Sequence, residues 1–433
     1  MQNSSQRNKP FSLILAFLFC LFLLQTCKQA VTVPPENEVE GEELIETPNL
    51  GQTFPMPDPA AFKASSNFDF HQISWEYFLW LTSKVDMDHL VFDTMYTDKA
   101  ILPEFKEDKN HILGGVNQAE SNGIVVDTNG RAVYTTMSIN GTYRDFVLEN
   151  KLYDPAAFQN FPADTTFPVG ALSLKLAWKL VGEGEDVSNF YTTEAEIQLL
   201  EEVDGLVTIP DNPKTQKNVK VALVGFHIAV VVEGHPEAIW ATFEHVDNAP
   251  YLAANAQRDG GVSELNHTFY NKDTKLADVN QNNAPILTLD AATQKLSPVT
   301  QVALQFRRGG GNSINQNNID EINEMMHAKL DEKSIWRNYI EIGAVWFKVA
   351  DGLKPDWNPN TDQNTLITGS VQLSNSVIET FTQNIVSQNE CFSCHNTMTT
   401  TNTPDGLPIL PGKNVSTSHI LLKNYLGQRV SRF

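Results

Sequence analysis

Leu172-Ser173-Leu174-Lys175-Leu176-Ala177-Trp178-Lys179-Leu180 carries a large apolar side chain at every even position and a small or polar one at every odd position. Side chains alternate between faces along a strand, so this period of two predicts a β-strand with one face buried. Residues 219–232 are nearly apolar throughout, interrupted by Gly225 and His227. That pattern predicts a central strand covered on both faces. Residues 239–246 read as its hairpin partner across Glu233-Gly234-His235-Pro236. Upstream, residues 133–139 are β-branched and aromatic and lie between Asn129-Gly130 and Asn140-Gly141, dipeptides that favour tight hairpin turns.

Helical signals flank these strands. Ser74-Trp75-Glu76-Tyr77-Phe78-Leu79-Trp80-Leu81 is a dense aromatic cluster that predicts a short buried helix. Arg307-Arg308-Gly309-Gly310-Gly311 and the Asn-rich run ending at Asn318 lack the Gly-Lys-Ser/Thr ending of a phosphate loop and read as a flexible connection. A helix is expected over residues 319–332, with Ile322, Met326 and Leu330 on its apolar face. Ser376-Val377-Ile378-Glu379 has the spacing of a capping box, and Ile378, Phe381 and Ile385 mark one face of a helix leading into Cys391. The expected fold class is α+β, a large β-rich body over residues 65–305 with a helical segment over 306–433 packed on it.

That last helix delivers Cys391-Phe392-Ser393-Cys394-His395, a Cys-x-x-Cys-His run. Residues three and four apart on a helical turn share a face, so two thiols can bond the vinyl groups of one haem c while His395 faces its iron. With four Cys and ten His in 433 residues, chance would give this run roughly once in a thousand such chains, so the signal is specific. A zinc knuckle would need two more ligands, and His395 and the distant His419 are what the neighbourhood offers. A thioredoxin-type redox pair would open a helix rather than close one. Cys391 and Cys394 are therefore the expected haem attachment residues and His395 the expected iron ligand.

The sixth iron position is open on the sequence. His227 and His245 lie inside strands, where a hydrogen-bonded core histidine is the commoner role. Met325 and His327 sit at the edge of a helical stripe, Met398 is too close to His395 to reach the other side, and His419 follows in the last stretch. The ligand comes from one of these or is absent. Glu244-His245-Val246-Asp247 places two carboxylates near an imidazole, but the spacing matches no metal loop.

Composition narrows the rest. The net charge of -21 argues against nucleic acid, because phosphate binding needs clustered Lys and Arg. Arg7 and Lys9 precede an apolar run over residues 11–24, of the length of an export signal. Leu24-Gln25-Thr26-Cys27 resembles the lipobox of bacterial lipoproteins, which makes Cys27 the expected acylated residue, with cleavage near Ala30 or an uncleaved anchor as alternatives. Residues 1–27 are thus a leader, and residues 28–64, rich in Glu and Pro, an expected solvated tether. Cys20 and Cys27 lie in the leader and the other two Cys in the motif, so none is left for a disulfide.

With these elements in hand, the chain resembles a group of long, exported bacterial proteins of the cytochrome c family that carry one haem motif near the C-terminus. The likeness runs through Trp75-Glu76-Tyr77-Phe78, Pro168-Val169-Gly170-Ala171, Val224-Gly225-Phe226-His227-Ile228, residues 242–250, Trp336-Arg337-Asn338-Tyr339, Asn375 with Glu379-Thr380, and the haem motif. Leu81-Thr82-Ser83 departs from it, standing where an Asn-Trp-Pro run is expected. The resemblance implies covalent haem attached outside the bacterial cytoplasm, in agreement with the leader, and no settled reaction. The expectation is an exported, lipid-anchored monohaem cytochrome at the cell envelope that exchanges electrons with a redox partner protein. A haem enzyme with an open sixth position, or a lipoprotein using haem as a staple or sensor, are the alternatives.

Overall fold

The computed structural model describes residues 50–119, 121–253, 255–308, 313–359, 366–383 and 391–427. The leader, Cys27 and most of the expected tether lie outside the described residues. Eight antiparallel strands make the main sheet: β1 Tyr96–Thr97, β2 Val133–Ile139, β3 Leu172–Leu180, β4 Thr192–Gln198, β5 Thr215–Val232, β6 His235–His245, β7 Tyr339–Phe347 and β8 Ile367–Gly369. Their order is β1-β2-β3-β5-β6-β7-β8, with β4 paired to the first half of β5. The helices are α1 Asn67–Leu81, α2 Gly141–Glu149, α3 Pro155–Asn160, α4 Ser313–Lys329, α5 Cys391–Cys394 and α6 His419–Tyr425. The α+β, β-rich architecture expected from the sequence is observed. No helix among the described residues is long and apolar enough to cross a membrane.

Strand β3 has the predicted limits, and β5 turns into β6 at Glu233-Gly234, with Val232 opposite His235 and Gly234 at a φ of 75°. The even residues Leu172, Leu174 and Leu176 enter the largest core cluster with Phe226, Ile228 and Val230 of β5 and Phe243 of β6. α1 covers that face: Trp75 meets Phe243 edge-on at 5.0 Å, and Phe78 stacks on Phe243 at 4.4 Å.

The opposite face is filled in two separate places. At one end Ala177, Val224, Val377 and Ile378 cluster, and at the other Ala171, Val231 and Ala238 pack with Val415, Ile420 and Leu421. Between them run two rows set by strand register: Met137, Lys175 and His227, then Ser173, Ala229 and Trp240. These six are the partly open residues of otherwise buried strand segments, so the gap is a property of the sheet. Ser173 and Ala229 are too small to fill it.

Several expectations are corrected. Residues 306–433 are not wholly helical: they supply β7, which pairs with β6, and β8, the last two strands at one end of the sheet, and the described residues belong to one compact unit. Residues 50–64 are not a solvated tether, because Phe62 is buried and Phe54 donates its amide to Ser83 Oγ at 2.8 Å. Asn140 closes no hairpin; its Oδ1 accepts the Tyr143 amide at 3.0 Å and caps α2. The described part of the Asn-rich connection is helical, since α4 begins at Ser313, and Asn315 Oδ1 bonds His71 Nε2 at 2.7 Å in the core. The capping box at 376–379 does not form. Ser376 donates its amide and hydroxyl to Glu244 at 2.6 and 2.7 Å, and residues 376–383 are bends and turns; residues 384–390 lie outside the description.

Candidate haem site

The gap on the second face of the sheet is a cavity of about 850 Å³, lined by Cys391, Cys394 and His395 together with the two strand rows. Ligand pockets run from roughly 300 to 1,000 Å³, so this one has room for a large planar group. α5 is a single turn that places both thiols and the imidazole on the same wall, and the His395 amide continues it by donating to Cys391 O at 2.8 Å. The two cysteines are not bonded to each other.

The His395 ring is held on three sides. Its Nδ1 donates to the Thr417 carbonyl at 2.8 Å, which fixes the tautomer and leaves the Nε2 lone pair for a metal. Trp240 lies over one part of the ring at 4.2 Å, and His419 stacks on it at 3.8 Å with planes 23° apart. Trp240 is itself fixed, its indole N–H donating to Glu237 O at 2.8 Å. Burial, with His419 alongside, holds the His395 pKa well below the ordinary imidazole value, so the ring is neutral and fit to ligate.

The structure separates the candidates for the sixth iron position. His245 is turned away from the cavity, stacked on Phe190 at 3.6 Å and bonded through Nε2 to Asn189 O at 2.9 Å. His327 donates to Tyr339 O at 2.7 Å on the α1 side of the sheet. Met325 packs against the main core there, and Met398 is exposed and outside the cavity lining. His419 does line the cavity, but two imidazoles stacked at 3.8 Å leave no space for an iron between them. It is a neighbour of His395. His227 lies on the cavity floor, held neutral by burial that pushes its pKa down to about 3, aided by Lys175.

Sequence reasoning missed three residues on this floor. Met137 and Lys175 share the His227 row, and Trp240 occupies the next. Parity along each strand would have found them: Met137 lies two residues from Thr135 and Ile139, Lys175 between Ser173 and Ala177. Glu244 and His245, adjacent in sequence, point to opposite sides, so the carboxylate and imidazole do not meet. Glu244 is buried against Ser376, and burial lifts its pKa to about 8.

The residues fit a covalently held haem: two thiols and a neutral, correctly tautomeric imidazole on one wall, and a floor left open at the small side chains of Ser173 and Ala229. Among the described residues no three His, Cys, Asp or Glu side chains gather as a metal-ion site. Comparison with protein-family models, curated proteins and solved structures returned no match.

Proposed function

We propose that the chain is an exported monohaem c-type cytochrome that transfers electrons at the cell envelope. The observation that carries this reading is the placement of Cys391, Cys394 and a Thr417-anchored His395 on the wall of one large cavity. When bound, haem c supplies a one-electron couple. Cys391 and Cys394 hold the group by two bonds to carbon. His395 Nε2 ligates, and its bond to Thr417 O raises its basicity. Trp240 and His419 resist rotation of the His395 ring, which favours repeated electron exchange over ligand loss. The leader and Cys27 support export and an acyl anchor, which would bring the cytochrome to a membrane-associated redox partner protein.

The test is the optical spectrum of the mature protein made in a host with a haem-attachment system. The expected result is a Soret band and redox-sensitive visible bands that survive denaturing extraction of free haem. A colourless product with both thiols open to alkylation overturns the reading. Cys27→Ala is expected to release the protein from the membrane fraction.

A further inference from the structure

Three histidines line the cavity, and two of them are already committed: His395 Nδ1 donates to Thr417 O, and His419 is stacked on His395 with its Nε2 3.2 Å from Cys394 O. His227, on the floor, is not. Its Nε2 is buried without a hydrogen-bond partner among the described residues, and its Nδ1 stands 3.9 Å from Glu379 Oε1, beyond hydrogen-bond reach. An unpaired buried ring nitrogen costs stability, a cost that a bond to a metal removes. Strand geometry presents the ring: residues two apart on β5 share a face, and Gly225 and Ala229 on either side of His227 carry no more than a methyl. The imidazole therefore rises above both. It lies within electrostatic range of His395, whose pKa it helps to depress, and burial keeps it neutral, with a lone pair to give. The other donors of its row are engaged: Met137 packs with the apolar cluster of Val231 and Ile420, and Lys175 has interactions of its own.

We propose that His227 supplies the second axial nitrogen to the haem iron, His395 being the first. The assignment separates the two open readings of the sixth position. His245, His327, Met325 and Met398 face elsewhere or lie outside the cavity, and His419 is stacked on the first ligand, which leaves His227 as the candidate that the fold itself brings to the haem. It rests on the haem reading and deepens it: an iron held between two imidazoles has no position open to a substrate, so the cavity serves electron transfer rather than a haem-enzyme reaction.

The test uses the mature ferric holoprotein, read by optical, electron paramagnetic resonance and near-infrared magnetic circular dichroism spectra. Wild type is expected to be low-spin, with the near-infrared band of an iron held by two imidazoles. His227→Ala is expected to lose the low-spin signal and become high-spin, and added imidazole to restore it. Met137→Leu is expected to stay low-spin. Circular dichroism and the haem-to-chain ratio check that each variant is folded and loaded. Should His227→Ala fail either check, the wild-type near-infrared band decides, together with the spin states of His419→Ala and Met137→Leu. A high-spin wild type, a near-infrared band of any other axial pair, or a His227→Ala protein that stays low-spin overturns the proposal while the haem remains attached. A preparation with no Soret band at all instead sinks the haem reading, which separates the two failures.

Discussion

Ala229 sits on the cavity floor in the middle of β5, and replacing it by Leu gives opposite results depending on what lies above it. The change adds three carbon atoms to a strand residue whose neighbours Ser173 and Trp240 already hold the row open. In protein made without haem attachment, those carbons enter open space. At about 0.8 kcal/mol per buried methylene the gain is at most ~2 kcal/mol, a rise of a few degrees in Tm. In holoprotein the same carbons collide with a macrocycle lying on the floor, and overpacking typically costs about 1–3 kcal/mol. The expected pattern is a more stable apoprotein, a reduced haem-to-chain ratio by pyridine haemochrome assay, and a shifted Soret band in what is loaded. Apoprotein stabilisation with wild-type loading and an unshifted spectrum would refute the placement of the haem on this floor. A destabilised apoprotein would refute the floor being open.

Three further outcomes follow from other contacts. His419→Ala removes the ring stacked on His395, and it should leave the spin state unchanged while shifting the reduction potential; conversion from low to high spin would make His419 an iron ligand after all. Gly225→Ala places a Cβ 2.5 Å from Val377 Cγ2, and chemical denaturation should show a loss of about 1–3 kcal/mol. An unchanged midpoint would mean that the 375–383 segment does not press on β5. Glu244, pushed up to about 8 by burial, keeps its proton in the fold at pH values where the unfolded chain has lost it. Its contribution to stability is therefore full below about 4.5 and is lost as pH rises to about 8, and Glu244→Gln should flatten the denaturant midpoint across that window.

How far these features were visible in the sequence depends on whether the deciding contact is local. The alternation of residues 172–180 set the limits of β3, and Cys391, Cys394 and His395 declared themselves by spacing. Alternation cannot say whether the polar face of a strand meets solvent or a cavity, and Ser173 and Lys175 meet a cavity. The pairing of Lys175 with His227 is a register between strands far apart in the chain, which no local pattern encodes. Ser376 has the correct neighbour for a helix cap, but the buried carboxylate of Glu244 competes for the same hydroxyl and wins. β7 was hidden for another reason: Tyr339–Phe347 is a short apolar run, and such a run suits a buried helix as well as a strand. Asn315 lies in the Asn-rich run that reads as a loop, whereas it is buried and hydrogen-bonded on α4.

The stack on His395 also dictates an order of assembly. Thr417 and His419 come after the haem motif in the chain, and α6 is fastened to the α2–α3 side by Tyr143 to Ser418 and by Tyr425 to Gln159 at 2.6 Å. A ring wedged between Trp240 and His419 gives a maturation enzyme no purchase, so on the haem reading the porphyrin is stitched in while the tail is still loose. On that reading α6 then closes behind the porphyrin like a latch, and a polypeptide that folds too soon is locked empty.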